Sequence, residues 1–219
     1  MKTLCLIPAR KNSQRLKNKN LNKIKGETLI ERTLKLASKI SIFDKIILSS
    51  DNLKILGLKK KYPKIFFLKR PKNLSTNNIK MSKVIKHTIE FCKKKNKKFD
   101  AVIILQPTSP LREKQTIIKA IKKFKKLKPD YLVSIKALKH TEVPEMTFTV
   151  LNSRIKKKNI PIKQYKNDRY CLDGGTVFIF KVPGTYSMQG KGAFIKVEFP
   201  ENIDIDTKQD LILVKKFLK

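Results

Sequence analysis

A basic and polar loop follows the first apolar segment of the chain. Residues Thr3 to Ile7 lack polar–apolar alternation and stop at a proline, so we expect a fully buried strand there. In open α/β sheets, loops at the carboxyl ends of strands bind ligands, and cationic side chains placed there suit a triphosphate. The side chains that could carry this chemistry are Arg10, Ser13, Arg15, Lys19 and Asn20. Because 52 of the 219 residues are Lys or Arg, a merely solvated basic loop is an open alternative.

Two aspartates alternate with isoleucines near the end of the chain, where residues 202–206 read NIDID. In an extended chain, Asp204 and Asp206 point to one face while the isoleucines point to the other and can be buried. Neighbouring carboxylates repel each other unless a cation lies between them, and a hard oxygen site with open positions suits Mg²⁺. Thr207 and Asp210 also fit a helix capping box, which explains their own presence but not that of Asp204. We therefore expect Asp204 and Asp206 to hold Mg²⁺.

Three further polar stretches follow predicted strands or precede them. Residues 105–112 read LQPTSPLR, in which prolines stiffen the turn and the hydroxyls of Thr108 and Ser109 could contact a ligand or cap the next helix. Arg70 follows another apolar segment and is weak evidence by itself. Residues 173–175 read DGG, which fits either a close approach of the backbone to a ligand or a plain turn.

The elements that must position these residues alternate between apolar strands and amphipathic helices. This alternation predicts an α/β fold with a mainly parallel sheet and helices on both faces. The predicted strands are Thr3–Ile7, Lys45–Ser49, Ile65–Leu68, Ala101–Leu105, Tyr131–Ile135, Thr176–Phe180 and Phe194–Glu198. The predicted helices are Thr28–Lys39, Leu53–Lys61, Met81–Lys95, Lys114–Leu127 and a last one from Thr207 onward. We expect a single domain over residues 1–219 with an inserted lobe of short strands and loops over about 137–169, which includes Thr147–Leu151.

The order of these motifs resembles one enzyme family. The patterns are I-P-A-R-x-x-S-x-R-x-x-x-K-N from Ile7, L-Q-P-T-S-P-L-R from Leu105 and N-I-D-x-D-T-x-x-D from Asn202. Together they resemble the CMP-sialic acid synthetases, the acylneuraminate cytidylyltransferase family. The resemblance implies a fold of the nucleotide-diphospho-sugar transferase type and a homodimer joined through the inserted lobe. It also implies a reaction in which CTP and a 2-keto-3-deoxy sugar acid give the CMP-sugar and pyrophosphate.

The resemblance also assigns roles to individual residues. It places the nucleotide against Pro8, Ala9, Arg10, Ser13, Arg15, Lys19, Asn20 and Arg70. It places the sugar acid near Gln106, Thr108, Ser109, Arg169, Asp173 and Gly174, and makes Arg112 mainly a structural support. Catalysis falls to Arg10, Lys19, Asp204 and Asp206, the last two as Mg²⁺ ligands. Attack by the anomeric hydroxyl on the α-phosphorus puts negative charge on phosphate oxygens, which fixed cations and the metal would stabilise.

Two departures from the family pattern concern the substrate. Asn77 stands where the family usually has Asp, and residues 173–175 read Asp-Gly-Gly where many sialic acid activating enzymes have Asn-Gly-Ala. The second departure adds a carboxylate near the expected sugar pocket. The same fold acting on Kdo, pseudaminic acid, legionaminic acid or another acidic sugar therefore stays open beside sialic acid.

The formal charge of +35 invites a different interpretation, that of a nucleic-acid-binding protein. Most of the cations are lysines spread along the whole chain, whereas nucleic-acid readers cluster charge on one face with Arg and aromatic residues. We therefore expect no specific nucleic-acid partner. A third alternative is an inactive relative that binds nucleotide for regulation, against which the intact aspartate pair argues. The chain lacks an apolar run of about 18 residues and the pattern of a signal peptide, so we expect a cytoplasmic protein without membrane insertion.

Overall fold

The structure, a computed structural model, describes residues 1–13, 15–138, 148–151, 154–157 and 169–218. The strands are β1 (Thr3–Pro8), β2 (Lys23–Ile24), β3 (Glu27–Thr28), β4 (Lys45–Ser50), β5 (Ile65–Lys69), β6 (Ala101–Ile104), β7 (Tyr131–Ala137), β8 (Phe148–Leu151), β9 (Arg154–Lys157), β10 (Tyr170–Leu172), β11 (Phe178–Lys181) and β12 (Gly192–Lys196). The helices are α1 (Leu29–Ser38), α2 (Leu53–Leu56), α3 (Met81–Lys94), α4 (Lys114–Leu127) and α5 (Lys208–Phe217).

The central sheet is mixed and mostly parallel, as predicted. Strand β1 lies between β4 and β6 and is parallel to both, and β5 extends the parallel part at the edge beyond β4. Strand β11 is antiparallel to both β6 and β7, and β12 is parallel to β7. The carboxyl ends of β1, β4, β5 and β6 therefore meet at one edge of the sheet, where open α/β sheets bind ligands.

Helices cover both faces of the sheet because successive side chains of β1 point to opposite sides. Cys5 and Ile7 pack in a core with residues of α1 and α4, whereas Leu4 and Leu6 pack in a second core with residues of α3. All four side chains are completely buried. This two-sided burial explains why the sequence of β1 is continuously apolar instead of alternating.

Strands β10 and β11 both pair with β7 in antiparallel fashion, but in registers that differ by several residues. The chain between them bulges away from β7 at residues 173–177. The buried hydroxyl of Ser134 fills the gap: it accepts a hydrogen bond from the N–H of Val177 at 3.0 Å and lies 2.7 Å from Oδ1 of Asp173. The bulge directs Gly174 and Gly175 toward the carboxyl edge of the sheet.

Two predictions about elements need correction. The helix expected over Leu53–Lys61 is one α-helical turn, α2, continued by a 3-10 turn at Gly57–Lys60, because the chain reaches a Tyr-Pro pair at once. The strand expected at Thr176–Phe180 begins only at Phe178, since the preceding residues belong to the bulge.

The predicted lobe over residues 137–169 lies mostly outside the described residues. Its described part contains the antiparallel pair β8 and β9, so the strand expected at Thr147–Leu151 is confirmed at Phe148–Leu151. Dimerisation through this lobe stays a prediction, as does the single-domain division. In the described part of the chain, none of the helices combines the length and apolar character needed to cross a bilayer.

A capping box with an added ion pair begins α1. Thr28 Oγ1 accepts a hydrogen bond from the N–H of Glu31 at 3.2 Å, and Glu31 Oε2 accepts one from the N–H of Thr28 at 3.1 Å. Lys61 Nζ donates to Glu31 Oε1 at 2.7 Å. This hydrogen bond from Lys61 is the largest cause that lowers the pKa of Glu31 from 4.5 to about 2.

This cap predicts an acid-dependent contribution to stability. We expect Glu31→Gln to lower the free energy of unfolding at neutral pH by about 0.5–1 kcal/mol, because the charge near the helix N-terminus is lost. Since the folded-state pKa is depressed, the difference from wild type should be complete above 4.5 and vanish as the pH falls towards 2. Urea unfolding across this range measures it, with the exposed Glu90 changed to Gln as the matched control. A difference that did not depend on pH would contradict the assignment.

Candidate active site

A cleft of about 430 Å³ opens at the carboxyl edge of the parallel strands. It brings together predicted residues from distant parts of the chain. Those that line it are Pro8, Arg10, Ser13, Arg15, Lys19, Asn20, Arg70, Gln106, Thr108, Gly174, Asp204 and Asp206. Among the described residues, the predicted site residues outside its lining are Ala9, Ser109, Arg169 and Asp173.

The basic loop after β1 is anchored at several points. The N–H of Ala9 donates to the carbonyl of Ser49 at 2.9 Å, so the pairing with β4 continues past the end of β1. The Lys11 N–H donates to Asp51 Oδ1 at 2.7 Å, and Asn20 Nδ2 donates to the carbonyl of Arg10 at 3.0 Å. Asn20 is 8% exposed, and its side chain binds the backbone of the loop to which it belongs. A sequence pattern could not distinguish this structural role from a contact with a ligand.

Two arginines of the cleft lining, Arg10 and Arg70, are held by contacts with backbone carbonyls. Arg10 Nη1 donates to the carbonyl of Thr76 at 3.3 Å. Arg70 is buried and donates from Nε to Ser49 Oγ at 3.1 Å and from Nη2 to the Ser49 carbonyl at 2.8 Å. Burial lowers the pKa of Arg70 to about 10. This pKa is still well above 7, and the guanidinium therefore stays cationic at neutral pH. The end of β4 therefore fixes a buried positive charge at the cleft.

The two aspartates reach the cleft as the alternating pattern predicted. Ile203 and Ile205 are buried in a small apolar cluster, and the Ile205 N–H donates to the carbonyl of Thr108 at 2.8 Å. Asp204 and Asp206 consequently face the cleft. Ser109, although outside the lining, donates from Oγ to Asp204 Oδ1 at 3.2 Å. Burial raises the pKa of Asp204 from its ordinary value.

Asp206 is paired with two cations of the basic loop. Arg15 Nη2 lies 2.7 Å from Asp206 Oδ2, and Lys19 Nζ lies 2.8 Å from Asp206 Oδ1. The chain then leaves the cleft through a capping box, in which Thr207 Oγ1 accepts from the N–H of Asp210 at 3.2 Å. Residues 202–206, the acidic segment, are therefore held on both sides, by the loop after β1 and by the start of α5.

The buried Arg112 joins the two segments that flank Asp204. Its Nε donates to the carbonyl of Thr176, and its Nη2 donates to the carbonyls of Gln106 at 2.7 Å and Gly175 at 2.9 Å. One guanidinium thus holds the turn after β6 against the bulge before β11. The structural role that the resemblance implied for this arginine has a geometric basis in these contacts.

Comparison with known protein families identifies the family of the chain. A profile of the cytidylyltransferase family matches residues 4–171. The chain belongs to the cytidylyltransferase family. The resemblance inferred from the motifs is confirmed at this level, and the protein is an enzyme of the cytidylyltransferase class.

This cytidylyltransferase is similar along its whole length to proteins of related activity. It is 30% identical to the pseudaminic acid cytidylyltransferase of Campylobacter jejuni, with 100% of this chain and 97% of that protein covered. It is 29% identical to the CMP-N,N'-diacetyllegionaminic acid synthase of Legionella pneumophila, with the same coverage of both chains. The solved CMP:2-keto-3-deoxy-manno-octonic acid synthetase complexed with CTP has a TM-score of 0.70 at 16% identity, covering 100% of this chain and 98% of that one. This last likeness concerns the fold alone, and it confirms the predicted fold class.

Asp173 has a different position from the one expected for a sugar contact. Its carboxylate is buried in the bulge, where Oδ1 lies 2.7 Å from Ser134 Oγ and accepts the N–H of Gly175 at 3.2 Å. In this cytidylyltransferase the residue therefore shapes the bulge that brings Gly174 to the cleft. Arg169 lies beside β10, and its carbonyl accepts the N–H of Leu138 at 2.9 Å. Any contact of Asp173 or Arg169 with a sugar stays a prediction.

Sequence reasoning missed the apolar end of the cleft. The side chains there belong to Leu74, Ile79, Met81 and Val84, in and just before α3. The signal was present, since the amphipathic helix α3 has Met81 and Val84 one turn apart at its start, a few residues after a short 3-10 turn that contains Leu74. The cleft of this cytidylyltransferase is thus lined by apolar side chains as well as by cations and carboxylates.

The carboxylate pair fits the magnesium site that the sequence predicted. No group of three or more His, Cys, Asp or Glu side chains forms a candidate metal site within the described ranges, so the protein ligands would be Asp204 and Asp206. Mg²⁺ commonly binds through one or two carboxylates together with waters and substrate phosphates. Asp206 also forms ion pairs with Arg15 and Lys19, so its carboxylate lies beside the cations of the basic loop.

Gly174 is the residue that lets the bulge approach Asp204. It has a φ of +104°, and a Cβ at this position would lie 2.6 Å from the Cβ of Asp204. We expect Gly174→Ala to cost about 2–3 kcal/mol of stability and to lower turnover, because the clash displaces Asp204. Urea unfolding and steady-state kinetics measure the two effects. Gly57→Ala is the matched control, since nothing lies within 4 Å of its added Cβ. Equal behaviour of the two variants would contradict the assignment.

Proposed function

We propose that this cytidylyltransferase transfers CMP from CTP to a nonulosonic acid, an acidic 2-keto-3-deoxy sugar, and releases pyrophosphate. The observation that carries the proposal is the cleft in which Arg10, Arg15, Lys19 and Arg70 face Asp204 and Asp206 at the carboxyl edge of the sheet. A triphosphate needs several fixed cations, and a metal-assisted transfer needs carboxylates beside them. The two full-length relatives, named for pseudaminic and legionaminic acid, support this class of sugar over Kdo.

In the proposed reaction, the anomeric hydroxyl oxygen attacks the α-phosphorus of CTP and the bond from that phosphorus to the bridging oxygen breaks. Arg10, Arg15, Lys19 and Arg70 bind the phosphates and offset the charge that develops on their oxygens. Asp204 and Asp206 would hold Mg²⁺, which when bound neutralises phosphate charge and lowers the pKa of the attacking hydroxyl. The hydroxyl proton passes to solvent, since the described part of the cleft offers no other evident base.

Other residues of the cleft position the substrates. The backbone at Pro8 and Ala9 continues the sheet and would contact the nucleotide, with Ser13 beside it. The side chain of Gln106 is held against the bulge, because a Cβ on Gly175 would lie only 3.0 Å from its Cδ. We assign Gln106 to the sugar acid, in a position next to Gly174 and Thr108. The apolar wall before and in α3 supplies a surface on which an uncharged part of a ligand can lie.

The proposal includes assembly and location. We infer a homodimer, supported by exposed aromatic side chains near the end of the chain: Phe199 and Phe217 are 59% and 39% exposed, and their rings meet edge to face at 4.9 Å. Light scattering on the purified protein tests this. We also propose a cytoplasmic location, because an enzyme that uses CTP must act where CTP is available.

Pyrophosphate release tests the proposed reaction. We would combine each of the four nucleoside triphosphates with pseudaminic, legionaminic and sialic acids and Kdo, in the presence of Mg²⁺. Release with CTP and pseudaminic or legionaminic acid is the expected result. Release only with sialic acid or Kdo would identify that sugar as the substrate instead. A protein that does not bind CTP would contradict the proposal as a whole.

A further inference from the structure

Both carboxylate oxygens of Asp206 are occupied by side-chain cations. Oδ2 lies 2.7 Å from Nη2 of Arg15, and Oδ1 lies 2.8 Å from Nζ of Lys19. These are distances of charge-assisted hydrogen bonds. The three side chains differ in exposure: Lys19 is 16% exposed, Asp206 is 29% exposed and Arg15 is 69% exposed.

The ion pairs of Asp206 conflict with the roles that the proposed reaction gives to the same three side chains. Arg15 and Lys19 are assigned to the phosphates, and Asp206 is assigned to the metal. Mg²⁺ binds carboxylate oxygens at about 2.0–2.1 Å, which would bring the ion close to both side-chain cations if they stayed in place. Like charges at such distances repel strongly, so the ion pairs and the metal compete for Asp206.

We propose that Asp206 is a switched metal ligand: Arg15 and Lys19 neutralise it until the triphosphate draws both cations to its own oxygens and frees the carboxylate for the metal. The inference rests on the proposed function and adds an order of binding, in which the triphosphate binds before the metal gains Asp206 as a ligand. Metal alone binds weakly, and triphosphate and metal favour each other by more than their direct contact provides. Arg15 and Lys19 thus control access to the metal site in addition to binding phosphate.

The surrounding structure allows the side chains to move while the backbone stays fixed. Leu16, between the two cations in sequence, is buried in the same apolar cluster as Ile203 and Ile205. This cluster connects the basic loop to residues 202–206. Arg15 and Lys19 both line the cleft, so their head groups border the space in which a triphosphate would bind.

Binding of Mn²⁺ in the absence of nucleotide tests the switch. Electron paramagnetic resonance of free Mn²⁺ would be used to titrate wild type, Arg15→Gln, Lys19→Gln and the control Lys17→Gln, which removes one charge from an exposed position in the same loop. We expect about tenfold tighter Mn²⁺ binding by Arg15→Gln and Lys19→Gln and less than about a twofold change in Lys17→Gln. Lys19→Arg, which keeps the charge, should bind as weakly as wild type. Affinities of Arg15→Gln and Lys17→Gln that agree would overturn the proposal.

Nucleotide binding without metal provides the reciprocal measurement. In the presence of a chelator, we expect Asp206→Asn to bind CTP about five- to tenfold more tightly than wild type, because Arg15 and Lys19 are released. Asp204→Asn, with the same change in charge beside it, should gain clearly less. Equal gains would contradict the switch. Absence of CTP binding by wild type would instead refute the proposed function, and the nucleotide-free Mn²⁺ comparison would still decide the present inference.

Discussion

Asp204→Asn is expected to lower turnover by a factor of about a hundred or more, because stabilisation by a bound metal is worth several kcal/mol in the transition state. Asparagine has nearly the same shape and keeps an oxygen for the hydrogen bond from Ser109, which is 3.2 Å from Asp204 Oδ1. The fold should therefore persist. Burial raises the pKa of Asp204, so removal of its ionised form does not cost folding energy. Pyrophosphate release at saturating CTP and Mg²⁺, with circular dichroism for the fold, measures the outcome.

The same segment offers a matched control in Asp210. Its carboxylate caps α5 by accepting the N–H of Thr207 at 2.7 Å and that of Asp206 at 3.0 Å, and it does not line the cleft. Asp210→Asn should lower stability by about 1 kcal/mol while turnover stays within about threefold of wild type. Normal turnover in folded Asp204→Asn would refute metal-assisted transfer through this residue.

Arg112→Met is expected to be strongly destabilising, with a loss of about 3 kcal/mol or more in the free energy of unfolding. Methionine fills much of the volume but leaves the carbonyls of Gln106, Gly175 and Thr176 without their donor, and each unsatisfied buried group costs about 1–3 kcal/mol. Removal of a buried charge offsets part of this loss, since burial lowers the pKa of Arg112 to about 10. Urea unfolding measures the change.

Arg32→Met is the control for this substitution. Arg32 lies on α1 and forms an ion pair with Glu27 at 3.3 Å. It lines a pocket together with Pro110 and Arg112, but its ion-pair partner Glu27 belongs to neither the turn nor the bulge. We expect it to lose less than about 1 kcal/mol. If Arg112→Met were as stable as Arg32→Met, Arg112 would not hold the two segments together. Catalysis should also fall in Arg112→Met, because Gln106 and Gly174 lose their fixed relation.

The sequence alone determined most of the strands and helices of the sheet and which polar segments follow them. The uninterrupted apolar run of β1 predicted a strand buried on both faces, and the structure buries it between α1 and α4 on one side and α3 on the other. Helix α4 has the predicted bounds, Lys114–Leu127, because one amphipathic period covers all of it. The alternation in residues 202–206 predicted that Ile203 and Ile205 would be buried and that Asp204 and Asp206 would share the other face. These properties depend on the local periodicity of apolar residues, which can be seen in a single sequence.

Only the tertiary structure decided how distant groups meet. Lys19 and Asp206 are 187 positions apart, and their contact depends on where the acidic segment, residues 202–206, packs against the basic loop. The antiparallel direction of β11, the bulge after Leu172 and the resulting burial of Asp173 depend on the register with β7. Register and packing are set by the sum of many long-range contacts. For this reason, the sequence could predict Asp206 as a metal ligand, but only the fold showed that Arg15 and Lys19 form ion pairs with its carboxylate.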